Sequence, residues 1–277
     1  MIGAEYTAQL KELKVESFLI SSMKALQNFL DNPEKVDIGV VSSVVWVAGK
    51  SLPTNTHSKF DLAYIQDYRS LNLFIDFLSK REWRGRFIFL SSGGCVYKES
   101  SNPLTENSVL SPNNTYGKLK LEQEKLIQAS TLSFSILRVS NVFGLRKIVT
   151  PGQDVINNWI HSYKRREKCK VFGNLRTFRD YINVSDVVKA IILAAESLDK
   201  NYILNVGSGE KTSIEDLVEI LSRCTAERIQ FDFQNAREFD RNGYVLDITK
   251  AKTLLNWYPE RSRKNNISDF ISEQISI

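Results

Sequence analysis

Tyr116 and Lys120 are the residues of this 277-residue chain whose types and spacing most directly suggest chemistry. Because they are four positions apart, they would share one face of a helix, with the ammonium near the phenol. A free tyrosine titrates at about pH 10, and a pKa of about 7 would require ~4 kcal/mol of preferential phenolate stabilisation. A nearby cation in a dry cleft can supply that much. The pair would then serve as a general acid or base toward a ligand hydroxyl.

The spacing alone is weak support, because the chain has 10 tyrosines and one Tyr-x-x-x-Lys match among them is close to chance. The alternative is an amphipathic helix with a surface tyrosine. A second feature is the segment FIFLSSGGCVY at 87–97, in which an apolar run ends in two serines and two glycines. Small residues at a strand end let a ligand approach the backbone, although a tight strand-to-loop turn is the alternative.

Apolar, β-branched runs alternate with helical patterns through the first half of the chain. The patterns predict buried strands and intervening helices. The strands are at 18–20, 40–47, 87–90 and 134–137, and the helices are at 3–13, 62–78 and 116–127. This alternation indicates an α/β fold with a parallel sheet covered by helices on both faces. Such sheets bind ligands at the carboxyl ends of their strands, so the residues that follow each strand form the candidate site.

The second half of the chain predicts a smaller, substrate-covering domain that interleaves with the sheet domain. The patterns predict helices at 155–163, 184–195, 213–221 and 248–255, and strands at 170–172 and 202–206. Ser213 and Asp216 have the spacing of a capping box. We assign residues 1–146 and 177–206 to the sheet domain, and residues 147–176 and 207–277 to the smaller domain.

Composition argues against several classes of protein. No stretch of about 18 residues is free of charge, so no membrane span is expected. The N-terminus lacks the apolar core of a signal peptide, so a cytoplasmic location is the default expectation. Three widely spaced cysteines and two histidines predict neither disulfides, a metal site nor a Ser-His-Asp triad. A net charge of +5 suits an anionic small ligand. The basic run at 164–166 predicts a solvated helix end and no nucleic-acid site.

Ordered blocks along the chain resemble the extended short-chain dehydrogenase/reductase family, in its NAD-dependent epimerase/dehydratase branch. The blocks are SSGGCVY at 91–97, PLTE at 103–106, SP at 111–112, YGKLK at 116–120, LRVSNVFG at 137–144, FRDYINVSDV at 178–187, NVGSG at 205–209, LDITKAK at 246–252 and LNWYP at 255–259. Each block is loose, but the ordered set is specific and spans nearly the whole chain. The resemblance implies a Rossmann-type domain that binds NAD or NADP, with a nucleotide-diphosphate sugar as the substrate. It leaves the oligomeric state open, with a homodimer as one possibility.

The resemblance also implies roles for individual residues. Tyr116 would exchange the proton, and Lys120 would lower the pKa of Tyr116 and hold the nicotinamide ribose. Ser92 is the candidate catalytic hydroxyl, since the position of the family's Ser or Thr is Gly93. The cofactor-binding positions are Gly3, Ser21, Ser22, Ala48, Gly49, Lys50, Ser91, Tyr116, Lys120 and Val139. The substrate-binding positions are Ser92, Gly94, Cys95, Asn141, Arg179 and Arg237, with the two arginines on the diphosphate.

Three departures from the family pattern bear on function. The family begins with a strand and a GxxGxxG turn, whereas this chain opens MIGAEYTAQL, in which Gly3 would be the third glycine. We therefore expect poor cofactor affinity unless a longer native chain supplies the strand and the other glycines. No acidic residue follows the strand at 18–20, and Lys24 is close by, which leaves NADP open. Gly94 and Cys95 replace the dehydratases' Asp-Glu pair, which argues against a 4,6-dehydratase.

Three functions remain open from the sequence. The leading hypothesis is a nucleotide-sugar epimerase that acts through a transient keto intermediate with bound NAD. The second is an NAD(P)H-dependent 4-keto-sugar-nucleotide reductase, which would use the same residues for half of that chemistry. The third, of another class, is a non-catalytic nucleotide-binding module, which the missing glycine loop favours.

Overall fold

The computed structural model describes residues 1–13, 16–17, 20, 23–54, 57–58, 61–144, 154–197, 200–225, 229–236, 242–260 and 263–276. The helices in these ranges are α1 (Ile2–Glu12), α2 (Met23–Asp31), α3 (Leu62–Lys80), α4 (Gly93–Val96), α5 (Thr115–Gln128), α6 (Val155–Lys164), α7 (Val184–Glu196), α8 (Ile214–Cys224), α9 (Thr249–Leu255) and α10 (Arg263–Ser276). The strands are β1 (Ser43–Trp46), β2 (Arg86–Ser92), β3 (Ser133–Val139), β4 (Asn141–Phe143), β5 (Cys169–Phe172), β6 (Phe178–Arg179), β7 (Tyr181–Asn183), β8 (Tyr202–Val206), β9 (Thr212–Ser213) and β10 (Phe231–Gln234).

The central sheet is parallel and has the order β1-β2-β3-β8 within the described residues. Its middle strand β2 pairs Phe89 with Trp46 of β1 and with Ile136 of β3. The strand is a continuous apolar run because both faces of the sheet are covered. The α/β fold predicted from strand-helix alternation is confirmed.

Side chains of the sheet alternate between two separate cores. Phe87 and Phe89 pack with residues of α2, α3 and α5, whereas Ile88 and Leu90 pack with residues of α7 and α9. This division follows from the period of two along a strand. Helix α5, which carries Tyr116 and Lys120, therefore lies on the same face of the sheet as Phe89.

A third core belongs to the smaller part of the molecule, in which α6, α8 and α10 pack around β5. The capping box predicted for α8 is present, with Ser213 and Asp216 bonded reciprocally. Leu246 and Trp257 pack in the sheet's core although they fall in the range 207–277. Helix α9, which was assigned to the smaller domain, also packs against the sheet. The division into two domains therefore stays a proposal.

The structure differs from the sequence-based prediction in several elements. The strand predicted at 40–47 is reduced to β1, because Ile38–Val40 forms a 3-10 turn in which the Asp37 carboxylate accepts a bond from the Gly39 amide. The strand predicted at 18–20 lies largely outside the described residues. Helices α2, α4 and α10 were not predicted. No helix in the described ranges is both long and apolar enough to cross a membrane.

Candidate active site

A cavity of ≈ 1160 Å³ opens where β1, β2 and β3 end, between the sheet and the smaller part of the molecule. Its walls include the first residues of α1 and α5, the loops after the three strands, and residues of α6 and β5. Pockets for single small ligands usually measure about 300–1,000 Å³. The volume is therefore sufficient for a ligand larger than one metabolite.

Helix α5 is positioned over this cavity by its first turn. The Asn114 side chain caps the helix by accepting a hydrogen bond of 2.8 Å from the Gly117 amide. Gly117 has no room for a side chain, since a Cβ would lie 2.4 Å from the Cys95 carbonyl oxygen. This close approach of α5 to α4 places Tyr116 at the cavity.

Lys120 lies one turn further along α5 and also lines the cavity. Its Nζ donates a hydrogen bond of 3.0 Å to the Leu90 carbonyl and is 5.8 Å from the centroid of the Tyr116 ring. Burial lowers the pKa of Lys120 to about 8, although the carboxylates of Asp67 and Glu124 act in the opposite direction. The side chain is therefore mostly an ammonium at pH 7.

The pKa of Tyr116 is raised in this structure, and its lowering by Lys120 stays a prediction. Burial of the phenol raises its pKa above the usual value, and Cys95 and Asp67 raise it further. The ammonium is directed to the Leu90 carbonyl rather than to the phenol oxygen. Tyr116 is therefore a neutral phenol at pH 7 in the ligand-free protein.

The last two residues of β2, Ser91 and Ser92, carry hydroxyl groups. Ser91 donates its hydroxyl hydrogen to Glu124, whereas Ser92 is half-buried and lines the cavity. A Cβ on Gly93 would lie 2.7 Å from Leu246 Cδ1 and 3.2 Å from the Arg138 carbonyl oxygen. The packing around Gly93 therefore leaves little space for any larger side chain at this position.

Most of the predicted contact residues meet in this one cavity. They are Gly3, Ala48, Gly49, Ser91, Ser92, Gly94, Cys95, Tyr116, Lys120, Val139, Asn141 and Arg179. Lys50 does not line the cavity, since its exposed side chain is directed to Gln66 on α3, and its role in cofactor binding stays a prediction. Ser21, Ser22 and Arg237 lie outside the described residues.

Two further residues of the cavity wall were missed from the sequence. Asp67 is 8% exposed, and its carboxylate accepts backbone hydrogen bonds from Lys50 and Ser51 at 2.8–3.0 Å. Asp67 could have been identified from the sequence as an acidic residue on the otherwise apolar face of α3. Tyr244 donates its hydroxyl hydrogen to Asn141 and closes the wall opposite Gly94.

Comparison with known proteins identifies the family to which this chain belongs. The sequence model described as the NAD dependent epimerase/dehydratase family matches residues 7–207. The chain belongs to this family. Among similar proteins, a dTDP-4-dehydro-6-deoxyglucose reductase of Escherichia coli is 26% identical over 249 residues, which cover 87% of this chain and 78% of the reductase. A protein named putative UDP-glucose 4-epimerase, from Methanocaldococcus jannaschii, is 32% identical over 68% of this chain and 62% of its own length, which is less than two thirds.

Solved structures of this family share the fold. The Thermotoga maritima UDP-glucose 4-epimerase with UDP-glucose has a TM-score of 0.86 at 23% identity, and the match covers 98% of this chain and 94% of the epimerase. The Thermus thermophilus UDP-glucose 4-epimerase in complex with NAD has a TM-score of 0.85 at 17% identity over 99% of this chain and 96% of that one. The Rossmann-type arrangement predicted from the resemblance is therefore confirmed.

Proposed function

We propose that the chain is a nucleotide-sugar epimerase in which hydride moves reversibly between the sugar and a bound NAD, with Tyr116 as general acid and base. The observation that carries the proposal is the convergence of Tyr116, Lys120 and the ends of three parallel strands on one cavity. Relatives named as UDP-glucose 4-epimerases support a UDP-hexose as the substrate. Similar structures in complex with NAD support this cofactor, with NADP as the alternative.

The cavity wall beside β1 fits a nicotinamide dinucleotide. Ala48 and Gly49 follow the strand and present little side chain, so a ligand can contact the backbone. Gly3, in the first turn of α1, is close enough to the strand end that a Cβ would lie 3.1 Å from Val47. The N-terminus of a helix favours negative charge, which suits a pyrophosphate. When bound, NAD would accept hydride from a sugar carbon and return it.

The residues of this chain would move the proton and orient the sugar. Tyr116 would take the proton of the reacting hydroxyl and give it back, a role for which its phenol must first ionise. The Lys120 ammonium would stabilise that phenolate by Coulomb attraction in a site of low dielectric. The Ser92 hydroxyl would bond to the same sugar oxygen, and Asn141 and Arg179 would hold the substrate from the opposite wall.

A reductase is the second candidate, favoured by the relative that matches 87% of this chain. The two reactions differ in what happens to the cofactor. An epimerase interconverts two UDP-hexoses without net consumption of NAD, whereas a reductase oxidises NADPH or NADH stoichiometrically with a 4-keto-sugar nucleotide. NMR of the sugar product and absorbance of the reduced nicotinamide distinguish them.

The proposal is tested with Tyr116→Phe in the interconversion of UDP-glucose and UDP-galactose. We expect kcat to fall by about 10²–10⁴-fold, because the general acid and base is removed. The affinity for UDP-glucose should change by less than about threefold, since the ring remains. Tyr258→Phe is the matched control, because Tyr258 is 58% exposed and outside the cavity. A Tyr116→Phe enzyme with full activity refutes the assigned role. A wild type that binds UDP-glucose, does not epimerise it and does not oxidise NADPH or NADH with a 4-keto-sugar nucleotide supports the non-catalytic module.

A further inference from the structure

Asp67 places a carboxylate in the cavity wall with no cation in direct contact among the described residues. It belongs to α3, is 8% exposed and lines the cavity. Its oxygens accept hydrogen bonds from the backbone amides of Lys50 and Ser51, and it forms no salt bridge within the described ranges. Because buried carboxylates are almost always paired with a cation or a metal, a balancing charge is expected nearby.

Lys120 supplies a positive charge on the neighbouring helix α5. Its Nζ donates a hydrogen bond to the Leu90 carbonyl and is 4.7 Å from the centroid of the Phe89 ring, and neither of these groups is ionisable. Helices α3 and α5 are in contact at this level, since the Gln123 side chain donates a hydrogen bond of 3.2 Å to the Asp67 carbonyl. The two opposite charges therefore lie close enough to interact across the cavity wall without forming a salt bridge.

Glu124 is the second carboxylate that acts on Lys120, but its charge is already balanced. Arg138 forms a buried salt bridge with Glu124, at 2.6 Å between Nη2 and Oε2. Of the two carboxylates, Asp67 is therefore the one without an arginine partner. The other titratable side chains beside the Lys120 ammonium are the Cys95 thiol on α4 and the Tyr116 phenol on α5.

The negative charge of Asp67 favours the protonated form of each ionisable neighbour. Burial lowers the pKa of Lys120 to about 8, and among the effects that oppose burial the Asp67 carboxylate is the largest. The same carboxylate adds to the rise in the pKa of Tyr116 that burial causes. Loss of this charge would therefore leave a larger fraction of Lys120 neutral at pH 7.

We propose that Asp67 is a positioning residue, whose carboxylate keeps Lys120 charged while it fixes the loop after β1 at the cavity. In the proposed function, on which this inference rests, the Lys120 ammonium stabilises the phenolate of Tyr116. Asp67 would exchange no proton with the substrate and would act through Lys120 alone. The charge and the bonds to the loop are two separate properties of one side chain, so different substitutions remove them.

Asp67→Asn removes the charge and retains the bonds to the loop. Asp67 Oδ2 accepts from the Lys50 amide at 3.0 Å and from the Ser51 amide at 2.8 Å, so an asparagine oxygen in that position serves both. Asp67→Glu is the converse change, because it keeps the charge but its longer side chain displaces the loop, in which Gly49 packs against Oδ2. Asp76→Asn is the matched control, since Asp76 is exposed on the same helix and lies outside the cavity.

The first measurement is the charge of Lys120 itself, which needs no substrate. The rate of acetylation of Lys120 by acetic anhydride is followed against pH in the full chain, with the labelled peptide quantified by mass spectrometry. The wild type should show a midpoint at about 8. Asp67→Asn should lower this midpoint by about one unit, the usual effect of one nearby charge. Asp67→Glu and Asp76→Asn should leave it unchanged.

The second measurement is kcat/KM for UDP-glucose over the same pH range. The alkaline fall of the rate should move to lower pH in Asp67→Asn by as much as the Lys120 midpoint does. At pH 8, where half of the wild-type Lys120 is charged, a shift of about one unit lowers the charged fraction and the rate about fivefold. A side chain that only fixes the loop would lower the rate equally at every pH.

The two measurements fail in different ways. A Lys120 midpoint that is the same in Asp67→Asn as in the wild type overturns the inference and leaves Asp67 a structural residue of the loop. A lowered midpoint with an unmoved rate profile also overturns it, because the charge then has no part in the reaction. A wild type in which Lys120 titrates as expected but UDP-glucose is not converted refutes the proposed function, and the catalytic part of the inference fails with it.

Discussion

Burial acts on both members of the Tyr116–Lys120 pair and favours the neutral form of each. It raises the pKa of the phenol and lowers that of the ammonium to about 8. At pH 7 the result is a neutral phenol beside a charged lysine. The charge of Lys120 is therefore the property of the site that is most sensitive to mildly alkaline conditions.

Activity should fall as the pH rises through about 8, where Lys120 loses its proton. The Lys120→Arg variant should lose this alkaline fall, because a guanidinium stays charged in this range, although its rate at pH 7 will be lower. The measurement is kcat/KM of both proteins at pH values on either side of 8. The same alkaline fall in both variants would contradict the assignment.

Loss of the folded structure would not explain a fall of activity above pH 8. The pKa of Lys120 is about 8 in the fold against 10.5 in the free side chain, so the unfolded chain binds more protons between these values. The contribution of Lys120 to stability therefore increases with pH over that range. Circular dichroism at each pH verifies that the protein remains folded, so that a loss of activity reflects the catalytic step.

Individual residues of the site were predictable where a local pattern carries them. Tyr116, Lys120 and Ser92 stand in ordered blocks, and the structure places all three at one cavity. Asp67 was missed because its significance lies in the backbone amides that it binds in the folded chain. The direction of the Tyr116 pKa shift was also not predictable, since it depends on how much solvent the folded chain excludes.

At the scale of elements, a buried ion pair joins α5 to β3. Arg138 Nη2 and Glu124 Oε2 are 2.6 Å apart, and the two side chains are 2% and 0% exposed. Glu124 is four positions after Lys120 and eight after Tyr116, so the pair anchors the face of α5 that carries both. Ser91 and Tyr97 bond to the same pair and tie it to β2 and to the loop that follows.

Removal of one partner of this pair should be costly. Glu124→Ala leaves a buried arginine without its counter-charge, and we expect the free energy of unfolding to fall by about 3–5 kcal/mol. The control is Glu219→Ala, which breaks an exposed pair with Arg223 and should change stability by less than about 0.5 kcal/mol. Urea denaturation measures both variants. Equal effects would show that the buried pair does not anchor the helix.

Elements with a long, regular pattern were predictable and short ones were not. The runs of β2, β3 and β8 and the periodic helices α3 and α7 follow directly from the spacing of apolar residues. The single turn α4 was missed because two glycines favour a loop, whereas its helical conformation depends on packing against α5 and β3. The two-stranded pairs β4-β7 and β6-β9 join short segments whose partners are set by the tertiary fold.

The whole molecule places its cavity between the sheet and the smaller part of the chain. Asp180, which is fully buried, links the loop after β8 to Leu246 by accepting bonds from the amides of Ser208, Gly209 and Leu246. The sequence predicted two interleaved parts but not that the segment from Leu246 onward returns to the sheet. That return depends on long-range packing of Trp257, for which no local pattern exists.

A ligand in this cavity should stabilise both parts at once. At a concentration about 100 times the Kd, UDP-glucose should add ~2.7 kcal/mol and raise the melting temperature, with the unfolding curve remaining a single transition. Tyr116→Phe should show the same increase, because binding does not require the proton transfer. Calorimetric melting with and without UDP-glucose tests this, and two separated transitions would contradict coupling between the parts.

Trp159 places a fluorescent side chain in the wall of the cavity. Of the four tryptophans, all within the described ranges, it is the one that lines the cavity, and its indole donates a hydrogen bond of 2.8 Å to the Lys170 carbonyl. It also packs edge-on against Phe231 at 5.4 Å between ring centroids. Intrinsic emission from this indole will therefore respond to a nucleotide in the cleft, whereas Trp46, Trp83 and Trp257 supply a constant background. We therefore expect the fluorescence of Trp159 to report ligand binding in the cavity, which titration with UDP-glucose measures.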